Sequence, residues 1–272
     1  MTIHTFTFSP TGTSAKILQG ITAGITQSTD SEINHCDLTL KPVSNRTFSA
    51  DDIVIISSPV YGGKITPIVK QRLQNISGNG ARCIVVAVYG NRAFEDAVND
   101  FASYMSGLGF SICGGAAFVG EHSYSTADAP IAHGRPDRQD MADANAFGRE
   151  IAAKISDGGL KDIDITALTD EPSPAESMAN FRNFVIGYQQ ARTHTVYLPK
   201  IDTSLCDDCG SCYDVCPTEA ITSGSQDADP TKCIKCCACV KICPQNARTF
   251  HTPFRQPLAE NFSLRKSPRW IL

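Results

Sequence analysis

Nine of the twelve cysteines fall in the last quarter of this 272-residue chain, and eight of them repeat one pattern twice, C-x-x-C-x-x-C-x-x-x-C-P. The first run is Cys206, Cys209, Cys212 and Cys216, followed by Pro217; the second is Cys233, Cys236, Cys239 and Cys243, followed by Pro244. The copies are offset by 27 residues (206 to 233), and Ala220 recurs as Ala247. A repeat this short cannot enclose an apolar core, so two copies must fold against each other around something else. Zinc frameworks use four ligands in well-separated pairs, not a triplet plus a distant fourth. Disulfides would require an oxidising compartment.

The run matches the bacterial-type ferredoxin ligand pattern and reads, ahead of zinc or disulfides, as a pair of [4Fe–4S] clusters, in which three cysteines of a run hold one cluster and the fourth crosses to the other. The expected sets are Cys206, Cys209, Cys212 and Cys243 for one, and Cys233, Cys236, Cys239 and Cys216 for the other. Cys237 lies inside the second run but off its spacing, and reads as a bystander thiol. Cys36, Cys83 and Cys113 fall in or beside expected strands, where cysteine packs as a small apolar residue.

At 272 residues the chain has room for one large and one small domain. A net charge of −4 offers no basic field to nucleic acid or to an anionic membrane surface. The N-terminal residues MTIHTFTFSPTGTSAK lack the basic start and apolar core of a signal peptide, and no run reaches spanning length. Many thiols without an export signal point to a reducing cytoplasm.

Residues 1–157 alternate apolar runs with helical periodicity, the signature of an α/β parallel sheet. Strands are expected at Ile3–Phe8, Glu32–Asp37, Asp52–Ser57, Arg82–Tyr89 and Ile112–Val119. Ile17, Leu18, Ile21 and Ile25 mark one helical face, and Phe94, Ala97, Val98, Phe101, Tyr104 and Met105 another. A last helix should start after Asp137 as N-cap and run to about Ile155. Gly158, Gly159 and Glu171-Pro172-Ser173-Pro174 then break the pattern, so residues 158–197 read as a linker with a bridging helix, Glu176–Arg192. The cysteine module spans 198–250. The basic and aromatic tail, 251–272, either packs back over that module or docks a partner.

Directly after the first strand comes Ser9-Pro10-Thr11-Gly12-Thr13-Ser14, running into a helix. Backbone N–H groups at a helix N-terminus with hydroxyls on Ser9, Thr11, Thr13 and Ser14 make an anion site. Neither G-x-x-x-x-G-K-[ST] nor G-x-G-x-x-G is present, and one glycine among hydroxyls suits a terminal phosphate monoester. Two further strand ends pair an aromatic with glycine: Pro59-Val60-Tyr61-Gly62-Gly63, and Tyr89-Gly90-Asn91-Arg92. A fourth loop carries Glu121, His122 and Tyr124. Such loops at one end of a sheet suit a flat ring.

Ser9-x-Thr11-Gly12-x-Ser14 resembles the [ST]-x-T-G-x-[ST] phosphate loop of flavodoxins, and the cysteine runs resemble those of two-cluster bacterial ferredoxins. In order and length the chain is similar to the flavodoxin–ferredoxin fusion proteins, the ferrodoxin family, and the resemblance covers nearly all of it. It implies a flavodoxin-like doubly wound five-stranded parallel sheet, order 2-1-3-4-5, joined to a small α+β ferredoxin-like domain with two [4Fe–4S] clusters. It also implies FMN, with its phosphate on Ser9 to Ser14 and its ring between the Pro59–Gly63 and Tyr89–Arg92 loops. Tyr61 and Tyr89 are the stacking candidates. Lys64 and Arg92 are cations where flavodoxins are often acidic, which would favour an anionic reduced flavin.

Joining one-electron clusters to a two-electron flavin suits a converter between one- and two-electron redox partner proteins. Two other readings stay open: a flavin reductase of a small substrate, using His122, Tyr124 or His133 as proton donors, and a carrier serving one dedicated enzyme. A homodimer is among the assemblies open to it.

Overall fold

A computed structural model of the protein describes residues 1–191, 195–223 and 227–272. Parallel strands β1 (Ile3–Thr7), β2 (Ile33–Asp37), β3 (Ile53–Tyr61), β4 (Arg82–Tyr89) and β5 (Ser111–Val119) pair in the order β2-β1-β3-β4-β5. This is the doubly wound flavodoxin-like topology, with the chain reversing direction across the sheet between β1 and β3. β1, β4 and the first part of β3 are buried on both faces, as strands between two helical layers must be.

One layer is α1 (Thr13–Thr26) and α4 (Arg138–Ser156), which set Ile17, Ile21, Ala144, Phe147 and Ile151 on the sheet. Asp137 caps α4: its carboxylate accepts from Gln139 N and Asp140 N, and Asp140 returns the bond to Asp137 N. The two helices touch backbone to backbone. A side chain at Gly24 would collide with the Asn145 carbonyl, and one at Gly148 with the Ile21 carbonyl. The other layer is α2 (Pro67–Leu73) and α3 (Ala97–Gly107), carrying Val69, Leu73, Phe101 and Met105. Cys83 and Cys113 are fully buried in the sheet and Cys36 is half-buried.

The chain does not leave this unit after α4. Ile163 N donates to Ile112 O (3.0 Å), and Leu160 and Leu168 are buried against the sheet's two faces. Helix α5 (Ala175–Gln190) follows; Arg192, where its end was expected, lies outside the described residues. The cysteine segment holds a two-residue ladder, β6 (Lys200–Ile201) with β7 (Arg248–Thr249), and two short helices, α6 (Ser211–Asp214) and α7 (Ala238–Ile242). Helix α8 (Arg255–Asn261) packs on α5 through aromatic edges, Phe181 on Phe262 and Phe184 on Phe254, each at 5.3 Å.

The tail then returns to the large sheet rather than covering the cysteine module alone. Strand β8 (Arg269–Ile271) pairs antiparallel with β5, Trp270 opposite Ala116. Trp270 stacks on Phe118 (6.1 Å) and donates to Glu150 (2.9 Å). An otherwise open sheet edge is thereby covered. Among the described residues, no helix is long and apolar enough to cross a membrane.

Candidate functional site

The two cysteine runs keep their sequence symmetry in the backbone. Asp208, Gly210 and Glu219 adopt positive φ (55°, 81°, 52°), and so do Lys235, Cys237 and Asn246, each 27 residues on (58°, 60°, 52°). Ala220 N donates to Cys216 Sγ (3.2 Å), and Ala247 N to Cys243 Sγ (3.3 Å). The recurring alanines therefore mark an N–H aimed at the last cysteine of each run. Cys237 occupies the place of Gly210, the left-handed residue ahead of a short helix, which explains why it is off the ligand spacing.

The off-spacing Cys237, with Ile221 and Ala238, lines an apolar cavity together with Cys216, Cys233, Cys236 and Cys239. These are the four cysteines of one expected crossed set, drawn from both runs. For the other set, Gln245 Nε2 donates to Asp207 Oδ2 (3.0 Å), which holds the stretch after Cys243 against the first run. All twelve cysteines are free thiols. Among the described residues, no three histidine, cysteine or acidic groups form a single-ion site. Burial, with neighbouring thiols, pushes Cys236 and Cys239 up to about 12. Iron must displace those protons, so loading is expected to release them. Cys216, Cys233, Cys236 and Cys239, in an apolar pocket with N–H groups aimed at sulfur, fit a [4Fe–4S] cluster.

At the carboxyl ends of the strands, β1 leads through Ser9–Gly12 into α1. Ser9 Oγ accepts from Ala15 N (3.0 Å), Thr39 Oγ1 accepts from Ser9 N (2.9 Å), and the Thr11 and Thr13 hydroxyls pair at 3.1 Å. Gly12, at φ 82°, is the N-cap residue and gives α1 no side-chain cap. Ser14 is buried, and its carbonyl accepts from Ser57 Oγ (3.2 Å). A 14-residue helix start ringed by hydroxyls, with its Ala15 N–H taken by Ser9 and no side chain on the N-cap glycine, fits a phosphate.

The neighbouring loops have separate fates. Gly62 and Gly63, both at positive φ, form a two-residue hairpin turn closed by Tyr61 and Lys64, a conformation only glycine adopts cheaply. Pro59, Val60 and Tyr61 are half-buried at the end of β3. Tyr61 hydrogen-bonds Ser123, and its phenol is pushed well above its usual range by burial and by the nearby Cys236 and Cys237 thiols. Tyr89, by contrast, is 3% exposed with its ring edge-on to Phe94 (5.6 Å) in the core. Of the two stacking candidates, Tyr61 alone stays near the surface. Asn91 is buried, and its amide donates to Phe262 O (2.7 Å) and Leu264 O (2.8 Å) of the tail. Its Oδ1 has no partner among the described residues, so a buried acceptor remains free in this loop. Arg92 is neutralised by Glu95 and lies 5.8 Å above the Phe181 ring.

In the fourth loop, His122 sits over Gly90, where any side chain would collide with the imidazole. Tyr124 N donates to His122 Nδ1 (3.0 Å), which requires that nitrogen unprotonated. Burial, with Arg92 and Lys241 nearby, lowers its pKa to about 4. A neutral imidazole is a poor proton donor near pH 7, which weighs against the reductase use of His122. Burial raises the Tyr124 phenol, and the Cys237, Cys233 and Cys236 thiols add to it. Glu121 accepts from Lys241 Nζ (3.2 Å), from Gly134 N (3.2 Å) and faces His133 (3.3 Å). Burial alone would raise its pKa; Lys241 and the Gly134 N–H outweigh that and lower it. Glu121 therefore ties the second cysteine run to the sheet. Arg72 Nη2, donating to Pro217 O at 2.6 Å, ties the end of the first run to α2. Neither Arg72 nor Ser123 carries a local sequence signal, because their partners are remote in the chain.

Residues 199–222 and 228–249 each match the 4Fe–4S binding domain family, so the C-terminal segment is a ferredoxin-type one. No curated protein matches the chain. Among solved structures, a flavodoxin from Streptococcus pneumonia TIGR4 is 19% identical over 57% of this chain and 99% of its own, with a TM-score of 0.41. Megasphaera elsdenii flavodoxin is 12% identical over 53% and 98%, at 0.35. The Flv1 flavodiiron core from Synechocystis sp. PCC6803 is 15% identical over 58% of this chain, which spans 36% of that one, at 0.42. The flavodoxin-like description of the large unit rests on its own strand order.

Proposed function

We propose that the protein is an iron–sulfur flavoprotein that relays electrons between two [4Fe–4S] clusters and FMN. One observation carries this reading. The cavity lined by Cys216, Cys233, Cys236 and Cys239 takes three of these cysteines from the second run, whose thiols neighbour Tyr61 and Tyr124 at the strand ends that also bear the phosphate loop. The proposed division is residues 1–157 for the flavin unit, 158–197 for a linker whose first part packs on that unit through Leu160 and Leu168, 198–250 for the cluster unit and 251–272 for a tail whose last strand joins the sheet. Cys206, Cys209, Cys212 and Cys243 would hold the second cluster.

Clusters pass single electrons while a flavin holds two, so the pair suits exchange between one- and two-electron redox partners. The chain's own part is positional. Ser9, Thr11, Thr13 and Ser14 hold the phosphate end. Tyr61, with the Gly62–Gly63 turn, borders the ring end, and Asn91 offers it a buried acceptor. Glu121–Lys241 and Arg72–Pro217 fix the cluster unit against these loops. Anaerobic redox titration with iron and flavin analysis tests the reading. About eight irons and one FMN per chain are expected; iron without flavin would leave a ferredoxin on a flavodoxin-shaped support.

A further inference from the structure

The two expected cluster sites differ in what surrounds them. The inner cavity abuts the sheet: Ile234 packs on its core, and Cys236, Cys237 and Cys239 are buried. The first run faces outward. Cys209 is exposed, and Leu205, Tyr213 and Ile242 are 52%, 37% and 46% exposed. Each of these three apolar side chains is the sequence neighbour of a cysteine of the outer set: Cys206, Cys212 and Cys243 respectively. Exposed apolar groups gathered around one redox site mark a contact surface. Asp207, Asp208 and Asp214 stand exposed among them, and no lysine or arginine occurs between residues 201 and 231. Lys241, the sequence neighbour of Ile242, is paired with Glu121.

We propose that this face, Leu205, Tyr213 and Ile242 with Asp207, Asp208 and Asp214, is the docking surface for a one-electron redox protein that presents an apolar patch rimmed by lysine or arginine. This rests on the relay reading above. One electron crosses per encounter, oxidising the outer site by one and reducing the partner's metal centre by one, with no proton moved. The carboxylates steer the encounter, and the apolar side chains hold the complex once water is expelled.

The test uses the full cluster-loaded chain and zinc-substituted cytochrome c as a basic, redox-inert probe, with association followed by fluorescence at several ionic strengths. The triple variant Asp207→Asn, Asp208→Asn, Asp214→Asn should weaken association about tenfold or more at low salt and flatten its salt dependence. Leu205→Ser with Ile242→Ser should weaken it at high salt, where charge is screened. Iron content and the EPR of the reduced clusters verify each variant, and Asp208→Asn with Asp214→Asn replaces the triple if Asp207→Asn disturbs its bond to Gln245. A charge-matched control, Asp51→Asn, Asp157→Asn, Asp162→Asn, should behave as wild type. Equal losses in the control, or none in the triple variant, overturn the proposal. If docking behaves as expected but dithionite-reduced clusters do not reduce bound flavin, the relay reading fails instead, and the docking face stands.

Discussion

The two halves of the molecule are held together by different physics. In the α/β unit, Ile3, Ile17, Ile21, Ile55, Phe101 and Phe147 are wholly buried, and an apolar layer fills each face of the sheet. In the ferredoxin-type segment one small apolar cluster, Ile221, Ala228 and Cys239 with Cys212, Cys233 and Val240 partly buried beside them, is joined by mostly small buried groups, Ala220, Cys236, Cys237, Ala238, Ala247 and Phe250. Among the described residues its secondary structure is a two-residue ladder and helices of four and five residues. The first half stores its stability in burial; the second has too little apolar surface for that and must draw on thiolate–iron bonds. The difference locates where each half is fragile.

Removing the iron should therefore produce the largest effect. After anaerobic chelation, amides of residues 198–250 are expected to lose most of their hydrogen-exchange protection, while β1, β3 and β4 retain theirs. Equal loss in both halves would break the comparison. The converse perturbation is Phe101→Ala, which opens a cavity in the sheet's core and should cost about 3–5 kcal/mol in denaturant unfolding. Iron content at temperatures where the variant stays folded should be unchanged.

This contrast also governs how much was legible in the sequence. Periodicity found all five parallel strands, and the Asp137 cap, because local pattern and tertiary burial agree there. The cysteine spacing also named, across both runs, four of the five cysteines that line one cavity. Features made by distant partners left no local trace. Nothing in Arg269-Trp270-Ile271 announces a strand until β5 supplies Gly114 and Gly115, which leave room for Leu272 and Ile165. Tyr89 reads as a loop aromatic, but it ends a strand buried on both faces, and its ring turns into the core.

Acid should probe the seam between the halves. His122 has a folded-state pKa of about 4 against an ordinary 6.5, so between those values the unfolded chain binds the extra proton. Stability from this group is full above pH 6.5 and falls as the pH drops toward 4, by at most about 3 kcal/mol. Protonating Glu121 weakens its pairing with Lys241 and acts in the same direction. Denaturant midpoints between pH 7 and pH 4 should fall less for His122→Gln than for wild type. A wild-type slope in that variant would show the seam insensitive to this imidazole.

The smallest effect is expected at Cys237, and its smallness is informative. Its counterpart in the first run is Gly210, so its φ of 60° is a glycine conformation imposed on a side chain, at a cost of about 1–2 kcal/mol. Its sulfur is nevertheless buried, 3.6 Å from Lys235 O and beside Tyr61 and Tyr124. Strain and burial thus oppose each other. Cys237→Gly relieves the first and forfeits the second, and should change stability by no more than about 1 kcal/mol. Cys237→Ser keeps the strain and buries a hydroxyl, so it should be the less stable of the two. Iron content should equal wild type in both. A fall by half in either would mean that Cys237 binds iron, and the pairing of the two runs by glycine position would have to be abandoned.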